Sequence, residues 1–346
     1  MKILITGAAG MIGSHAAEYY ARRGDQVVAL DNLMRSRLFG SKHKSVEYNW
    51  DYLADFSNIT RIVGDVRNEA DVRKALGSGV DAILHAAGQP GVFFSLQNPV
   101  EDFSLNAQGT LMVLEGVRQV CPKARLIYCS TNKVYGQGID TVPLKEEATR
   151  YVFQGDLRAI PENYPIDHVG HTPYGASKYV ADLYVQEYAH AYGMQTGIFR
   201  MSCIYGTRQF GFEDQGWLAW FIICALKSKP LTIYGNGKQV RDVLFVSDLI
   251  AAYDAFFKSS ISHGIYNMGG GPDNTLSLLE LLEQIKQNGL SVPSHQYSDW
   301  RMFDQKVYIS NIDKVKKDLH WQPQVSVSEG IKRLVNWVRE NPSLFP

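Results

Sequence analysis

The chain has 346 residues with 35 basic and 35 acidic side chains, so its formal net charge is zero. This length predicts roughly two domains, and the balanced charge argues against nucleic acid or an anionic membrane as a partner. The four cysteines have neither metal-ligand spacing nor the density of a disulfide scaffold, which indicates a reducing compartment and no metal site. With no signal peptide ahead of the first strand and no apolar run longer than Trp217–Leu226, we expect a cytoplasmic protein.

A glycine-rich loop follows the first predicted strand, Ile3–Ile5. Gly7, Gly10 and Gly13 lie between this strand and a helix predicted to end near Arg23. In a dinucleotide-binding loop the first glycine allows a tight turn, the second lets the backbone approach a pyrophosphate, and the third lets helix and strand pack closely. The free N–H groups at the helix start favour phosphate. The spacing is GxxGxxG and not GxGxxG, so it matches the dinucleotide-binding motif only in part. The position of the loop between a strand and a helix supports the assignment.

An acidic residue ends the second predicted strand, Val27–Leu30. Asp31 stands where a carboxylate binds the adenosine ribose in dinucleotide-binding folds. Such a carboxylate repels a 2′-phosphate and favours NAD over NADP. Arg35 and Arg37 follow closely and favour the opposite choice, but Asp31 lies at the strand end where the ribose arrives. We therefore expect NAD.

Strands and helices then alternate. This order predicts an α/β fold with a doubly wound parallel sheet, whose ligands bind at the carboxyl ends of the strands. Asp65, Gly88 and Thr131 all lie at such ends, whereas His85 is expected to be a packed side chain. Further strands are predicted at 60–63, 81–85, 125–129 and 196–200, with a long helix over 99–120.

A tyrosine and a lysine are four residues apart at the start of another predicted helix. Thr172 suits the N-cap and Pro173 the first turn of a helix running from Tyr174 to about Tyr192. Tyr174 and Lys178 then share a face, and a nearby ammonium is expected to lower the pKa of the phenol, preparing it to take a proton. The alternative is an ordinary amphipathic helix, with its apolar stripe at Val180, Tyr184, Tyr188 and Ala191.

Taken together, these motifs resemble the extended short-chain dehydrogenase/reductase family. The resemblance rests on the glycine loop, Asp31-Asn32, Asp65-Val66, Thr131, Tyr174-x-x-x-Lys178 and Arg241-Asp242. It implies a Rossmann-type domain with bound NAD, and a catalytic set of Thr131, Tyr174 and Lys178 acting on a nucleotide sugar. It also implies a homodimer formed through the helices at about 99–120 and 174–192.

The same resemblance assigns residues to the cofactor. Met11 and Ile12 would contact the pyrophosphate through their backbones. Lys178 would hydrogen-bond the nicotinamide ribose and lower the pKa of Tyr174. The cofactor set implied by the family is Gly7, Gly10, Met11, Ile12, Gly13, Asp31, Asn32, Arg35, Asp65, Val66, Ala86, Ala87, Gly88, Asn106, Cys129, Tyr174, Lys178 and Met201.

Finer motifs resemble the CDP-tyvelose (CDP-paratose) 2-epimerases of that family. These are 130–136, 205–210, 214–217, 235–243 and 301–305. The resemblance implies a CDP-sugar substrate, with the guanidinium forks of Arg208, Arg241 and Arg301 suited to its diphosphate. The substrate set it implies is Gln89, Thr131, Asn132, Cys203, Arg208, Gln209, Gln215, Arg241, Arg301 and Asp304.

The expected chemistry is epimerisation through a transient keto-sugar. A carbon without an acidic C–H can be inverted if NAD first oxidises it to a ketone. The keto-sugar then presents its other face, and the hydride and the proton return to that face. Sugar-nucleotide 4,6-dehydratases of the family carry an Asp-Glu pair after the threonine, where this chain has Asn132-Lys133. Dehydration is therefore not expected. A UDP-hexose or UDP-hexuronate 4-epimerase is the nearest alternative, and a non-catalytic NAD-binding regulator is a further one.

The C-terminal part is predicted to form a second domain. The expected division is 1–205 for NAD binding and 206–346 mostly for the substrate, with some segments returning to the first domain. The segment 137–171 is predicted to be a long loop, which is either a cover over the sugar or an insertion without consequence. Asn236-Gly237 predicts a hairpin between strands 231–234 and 240–244, and helices are expected at 276–287 and 328–339.

Overall fold

A computed structural model describes residues 1–35 and 45–345 of the chain, so Arg37 lies outside the described residues. Two compact units are each formed by three separate stretches of chain. The predicted division after residue 205 stays a prediction. The first unit is Met1–Val134, Pro173–Arg200 and Ile250–Tyr266, and the second is Tyr135–Thr172, Met201–Leu249 and Asn267–Pro346.

A seven-stranded sheet is the centre of the first unit, in the order β3-β2-β1-β4-β5-β8-β12. The strand pairs from β3 through β5 are parallel. The inner strands β1, β2, β4 and β5 are short apolar runs because both faces of a parallel sheet are buried there, whereas β3 at the edge is largely exposed. The strands are β1 Lys2–Thr6, β2 Gln26–Asp31, β3 Ile59–Val63, β4 Ala82–His85, β5 Arg125–Thr131, β8 Gln195–Met201 and β12 His263–Met268.

Helices connect these strands and pack against the sheet. Val72, Val113 and Val185 come from three of them and share one core with Leu4 and Ile83 of the strands. The predicted long helix is present, although a π-turn at Ser104–Gln108 interrupts it. The helices are Met11–Arg22, Ser45–Tyr52, Glu69–Leu76, Val92–Gln97, Pro99–Phe103, Gly109–Val120, Thr172–Tyr192 and Val246–Lys258.

The strand order reverses at β1, which lies between β2 and β4. At such a switch point the connections leave in opposite directions and open a crevice at the carboxyl ends of the strands. The glycine loop follows β1, Asp31 ends β2, and the segment Ala86–Gly88 follows β4. The topology therefore collects the predicted cofactor residues at one edge of the sheet.

The second unit is built around β11, which pairs with β9, β13 and β15. The predicted hairpin is wrong: β10 pairs in parallel with the distant β14. Gly235 and Gly237 both have positive φ and form a turn, but the strands before and after this turn, β10 and β11, belong to different sheets. The strands are β9 Cys203–Tyr205, β10 Leu231–Tyr234, β11 Val240–Phe245, β13 Thr275–Ser277, β14 His295–Ser298 and β15 Val307–Tyr308.

The helices of the second unit include one formed by the longest apolar run of the sequence. In that helix, Trp217–Lys227, most side chains are buried, and no helix in the described parts of the chain is long and apolar enough to cross a membrane. The predicted helices 276–287 and 328–339 are present with slightly different ends. The remaining helices are Leu278–Gln287, Asp313–Leu319 and Val327–Glu340.

The segment 137–171 is more ordered than the loop predicted from its sequence. A 3-10 segment covers Asn132–Thr141, and two short antiparallel strands follow, β6 Leu144–Glu146 and β7 Tyr151–Phe153. Tyr151 packs on Val240 and Val307 of the central sheet of this unit. These contacts were not predictable because strands of three residues carry no measurable periodicity.

Candidate active site

The glycine loop forms a cradle that side chains would fill. Gly7 has φ +69°, and a Cβ there would lie 2.7 Å from the backbone of Ala86. A Cβ on Gly13 would lie 2.1 Å from the Gly7 carbonyl oxygen. Gly10 donates its N–H to the same carbonyl at 3.0 Å and precedes the helix Met11–Arg22, whose first N–H groups have no partner within the helix. This backbone cradle fits a dinucleotide pyrophosphate.

Asp31 is hydrogen-bonded to the glycine loop. Its carboxylate accepts the N–H of Ala9 at 2.9 Å and that of Leu33 at 2.8 Å. Burial raises the pKa of Asp31, and these two hydrogen bonds and the charge of Arg35 oppose that rise. Burial in turn lowers the pKa of Arg35 to about 10, which leaves it cationic at neutral pH. The carboxylate has further lone pairs, and its predicted role toward a ribose diol stays a prediction.

Asn32 and Asp65 are brought together at the ends of β2 and β3. The Asn32 amide donates to Asp65 at 3.0 Å, and Arg67 contacts the same carboxylate at 2.7 Å. Burial opposes ionisation of Asp65, but its hydrogen bonds to Arg67 and Asn32 outweigh burial and lower its pKa to about 2. The neighbouring Val66 is buried under the long helix. Asp65 is thus a fixed anion beside the proposed adenine position.

The segment after β4 lines the next part of the crevice. Ala87 donates its N–H to the Thr6 hydroxyl at 3.2 Å. A Cβ on Gly88 would lie 2.8 Å from the Asn106 side-chain oxygen and 3.7 Å from the Lys178 nitrogen. The backbone of Gly88 therefore lies against two predicted cofactor residues. His85 is a packed side chain as expected, bonded to the hydroxyls of Thr6 and Thr110.

Thr131 and Tyr174 contact each other directly. Thr131 is the last residue of β5, and its hydroxyl hydrogen-bonds the phenol of Tyr174. Asn132 follows, and its amide oxygen lies 3.4 Å from the Thr131 hydroxyl. The backbone N–H of Lys133 donates to the same hydroxyl at 3.3 Å. The structure therefore joins two of the three predicted catalytic residues.

The expected effect of Lys178 on Tyr174 is wrong for this structure. Burial raises the pKa of Tyr174 to about 12, and the hydrogen bond from Thr131 is what opposes that rise. The Lys178 nitrogen lies over the Tyr128 ring, 4.3 Å from its centre, and exerts no resolved effect on the Tyr174 phenol. Loss of hydration outweighs the i,i+4 charge effect because both groups lie inside the protein.

The apolar stripe predicted for the helix Thr172–Tyr192 is buried at Tyr188 but not along its whole length. Tyr184 is 44% exposed, whereas Ala181 and Val185 are fully buried. The fully buried Asp182 contacts Arg200 at 3.0 Å. Polar residues therefore occupy part of the inner face of the helix and interrupt the apolar periodicity of its sequence. Thr172 has φ +65° and not the extended backbone of the predicted N-cap.

Lys178 is buried among charged and polar groups. Burial lowers its pKa to about 8, and Cys129, Asp102 and Asp182 act in the opposite direction. Cys129 is itself buried beside the Tyr253 hydroxyl, 3.1 Å away, and burial raises its pKa to about 11. Lys178 thus depends on nearby negative charge to remain an ammonium.

A buried polar network, which the sequence did not reveal, lies next to Lys178. Ser177 donates to Asp102 at 2.5 Å, and Gln89 donates to the same carboxylate at 2.6 Å. Asn106 accepts the N–H of Gln89 at 2.8 Å and donates to Asp102 at 3.2 Å. Asp102, an acid four residues before Asn106 on the same long helix, was the available signal.

In the second unit, two of the predicted arginines are bound to carboxylates. Arg241 contacts Asp304 at 2.6 Å, and Arg301 contacts Asp214 at 3.0 Å. The Arg301 guanidinium also lies over the Tyr234 ring, 4.0 Å from its centre. Arg241 and Asp304 were both predicted substrate residues, and the structure brings them together.

The other predicted residues of the second unit lie on or near β9. Cys203 is the first residue of β9, and burial raises its pKa to about 12 although the charge of Arg241 opposes this. Arg208 and Gln209 are buried just after β9, while Gln215 exchanges backbone hydrogen bonds with Phe212. Met201 ends β8. Their roles toward a substrate stay predictions.

The chain is similar to several known proteins over almost its whole length. The sequence profile of the NAD dependent epimerase/dehydratase family matches residues 3–269. A CDP-paratose 2-epimerase of Salmonella typhi is 37% identical over 97% of this chain and 99% of its own. A putative UDP-glucose 4-epimerase of Methanocaldococcus jannaschii is 32% identical over 98% and 99%, respectively. The crystal structure of UDP-glucuronic acid 4-epimerase from Bacillus cereus, in complex with UDP-glucuronic acid and NAD, superposes with a TM-score of 0.82 at 25% identity, covering 99% of this chain and 100% of that one.

Proposed function

Because the chain belongs to the NAD-dependent epimerase/dehydratase family, we propose that it is a nucleotide-sugar epimerase that inverts carbon 2 of a CDP-sugar of the paratose type. The observation that carries the proposal is the hydrogen bond between Thr131 and Tyr174 at the carboxyl end of the sheet, with Lys178 one helical turn further on. A phenol held by a hydroxyl is suited to exchange a proton with a sugar hydroxyl.

The glycine cradle and the acidic strand ends fit NAD. Gly7, Gly10 and Gly13 would admit the pyrophosphate, Asp31 would bind the adenosine ribose, and Asn32 with Asp65 would lie at the adenine. Bound NAD supplies a hydride acceptor that returns the hydride later, so the reaction needs no net oxidant. Asp31 favours NAD over NADP because its carboxylate repels a 2′-phosphate. The remaining residues of the predicted cofactor set are proposed for the same role.

Tyr174 is proposed as the acid and base for the sugar hydroxyl. It accepts the hydroxyl proton when the carbon is oxidised and donates it back after the ketone has presented its other face. Thr131 would hold the same oxygen in line while bonded to Tyr174. Burial raises the pKa of Tyr174 to about 12, and the hydrogen bond from Thr131 opposes that rise and so favours the deprotonated form. Lys178 is proposed to bind the nicotinamide ribose.

The residues after Thr131 favour epimerisation over dehydration. Elimination of water from a sugar needs an acid to protonate the leaving hydroxyl and a base to remove a proton. Asn132 and Lys133 occupy the positions where dehydratases of the family carry an acidic pair. Neither is a carboxylic acid, so the keto-sugar is expected to return as an epimer.

The CDP preference rests on the 37% identical relative, which is named a CDP-paratose 2-epimerase. Arg208, Arg241 and Arg301 are proposed for the diphosphate, because guanidinium forks match phosphate oxygens. Since Asp304 and Asp214 already bind two of them, a diphosphate would compete with these carboxylates. A UDP-sugar 4-epimerase is the alternative, since the relative from Methanocaldococcus jannaschii carries that name.

A homodimer is also proposed, formed through the long helix at 99–120 and the helix Thr172–Tyr192. Both helices expose large apolar side chains: Val100 is 82% exposed, Phe103 51% and Tyr192 56%. Apolar surface of this kind is stabilised by a second copy of the chain. Light scattering should give twice the monomer mass, and a Val100→Glu/Phe103→Glu variant should give the monomer mass.

The nucleotides that accompany the purified protein test the proposal. The protein is denatured with acid or heat, and the released small molecules are separated and identified by mass spectrometry. We expect NAD, with cytidine nucleotides bound in preference to uridine nucleotides when both are added in equal amounts. Preferential retention of uridine nucleotides would instead favour the 4-epimerase alternative.

A further inference from the structure

We propose that Asp102 is a positioning residue that acts as the buried counter-charge of Lys178 and keeps it in its ammonium form. This inference rests on the proposed function for the part that Lys178 plays in catalysis. Asp102 lies in the helix Pro99–Phe103 and is fully buried, so an ionised carboxylate there needs both hydrogen bonds and a cation. Neither the resemblance to the family nor the proposed chemistry assigns it a role.

The hydrogen bonds of Asp102 indicate an ionised carboxylate. Ser177 donates to one oxygen at 2.5 Å, and the amides of Gln89 and Asn106 donate to the other at 2.6 and 3.2 Å. The two amides can only donate, so the oxygen they share accepts hydrogen bonds, which favours the ionised carboxylate. Burial raises the pKa of Asp102, and the hydrogen bonds of Ser177 and Gln89 and the charge of Lys178 oppose this rise.

Four other side chains near Lys178 are neutral. Burial holds the Cys129 thiol at a pKa of about 11, so it carries no charge at neutral pH. His85 is also neutral, because burial and the charge of Lys178 lower its pKa to about 3. The phenols of Tyr174 and Tyr128 are protonated as well, since burial raises the pKa of each. None of these groups balances the ammonium.

The second acid near Lys178 is already neutralised. Asp182, on the same helix as Lys178, is contacted by the Arg200 guanidinium at 3.0 and 3.1 Å and by the Ser130 hydroxyl at 2.7 Å. The cation acting on Asp102 is Lys178 itself. Among the groups that act on Lys178 in the described chain, Asp102 is therefore the carboxylate whose charge is left to balance the ammonium.

The network also fixes the helix turn that carries the catalytic residues. Ser177 precedes Lys178, and its hydroxyl lies 2.5 Å from Asp102 and 3.0 Å from the Tyr174 carbonyl oxygen. Asn106 donates to the same Ser177 hydroxyl at 3.1 Å, from a π-turn. A π-turn in the middle of a helix is frequently associated with a functional site. Asp102 is thus connected to Lys178 through the backbone as well as by charge.

The test replaces the charge and preserves the shape. In Asp102→Asn, the pKa of Lys178, followed by 13C NMR of its labelled side chain, should fall by about one pH unit. The alkaline limb of the pH profile of kcat should move to lower pH by a similar amount. The matched control is Glu115→Gln, which removes a carboxylate bound to Arg118 from the same long helix. It should leave both values unchanged, since Glu115 does not act on Lys178.

A reciprocal measurement covers the case in which Asp102→Asn does not fold. In Lys178→Met, the side-chain NMR titration of Asp102 should give a higher pKa than in the wild type, because linked charges affect each other equally. An unchanged Asp102 pKa there, or an unchanged Lys178 pKa in folded Asp102→Asn, would overturn the proposal. These titrations do not depend on turnover. A wild-type protein that epimerises no nucleotide sugar would instead refute the proposed function.

Discussion

The Thr131 hydroxyl hydrogen-bonds the Tyr174 phenol, linking the end of a buried strand to the first turn of a long helix. The same hydrogen bond opposes the effect of burial on the Tyr174 pKa. Thr131 therefore positions the phenol and also eases its ionisation.

Tyr174→Phe should abolish epimerisation while leaving the fold intact. Removing the hydroxyl removes the group that exchanges the proton, and a loss of about a thousandfold in kcat is expected. Steady-state assays and retention of NAD check this. Tyr192→Phe, at an exposed position on the same helix, is the matched control and should keep wild-type activity. Substantial turnover by Tyr174→Phe would remove the tyrosine from the mechanism.

Thr131→Val should lower kcat by about 10- to 100-fold, the expected effect of losing one hydrogen bond to a group that becomes charged. The pKa of Tyr174 should rise further, so the acid limb of the pH profile should move to higher pH. Thr131→Ser keeps the hydroxyl and should retain most of the activity. If the valine and serine variants behaved alike, the methyl group and not the hydroxyl would matter.

The contribution of Lys178 to stability should rise with pH above about 8. Its pKa is about 8 when folded and 10.5 in the reference state, so between these values the unfolded chain binds more protons. Unfolding free energy then increases with pH, by about 2 kcal/mol between pH 7.5 and 9.5. Urea titrations of the wild type and Lys178→Met measure the difference, and the variant should lack this rise. Tyr174 contributes the opposite slope only above pH 10, its reference value, because its folded pKa is higher.

An equal rise in both proteins would mean that another group causes it. That outcome would contradict the buried environment assigned to Lys178, which is 6% exposed.

Gly13→Ala should weaken NAD binding by at least about tenfold. The added Cβ would lie 2.1 Å from the Gly7 carbonyl oxygen, so the loop would have to move away from the helix start that faces the pyrophosphate. Calorimetric titration with NAD, with circular dichroism as a check of folding, measures this. Gly138→Ala is the control, because its nearest neighbour would be at 3.6 Å. Unchanged affinity in Gly13→Ala would show that the loop does not hold the cofactor.

Much of the first unit could be predicted from the sequence. Its inner strands are buried apolar runs, and this pattern indicated where Asp31, Gly88 and Thr131 lie, whereas the edge strand before Asp65 is largely exposed. Parallel sheets bring their carboxyl ends to one edge, so the positions of these residues followed from topology. The placement of Tyr174 and Lys178 one turn apart on a helix was also predictable, since their spacing is that of one turn.

Other features depend on tertiary burial, which spacing does not show. The pKa of Tyr174 is raised because the protein removes its water, an effect that a pair of residues on one helix does not reveal. Asp102 contacts Ser177 across 75 residues of sequence, so nothing local marks their contact. The partner strand of β10 was not predictable either. Asn236-Gly237 is typical of a hairpin between β10 and β11, but β10 pairs with the distant β14 instead.

The most direct test is NMR of the purified protein with added NAD and a panel of CDP- and UDP-sugars in heavy water. The account predicts that CDP-paratose is converted to its carbon 2 epimer with no deuterium at that carbon, since the hydrogen removed is the one returned. CDP-glucose should give no 4-keto-6-deoxy product. Deuterium at the inverted carbon, inversion at carbon 4 of a UDP-sugar only, or dehydration of CDP-glucose would contradict the account.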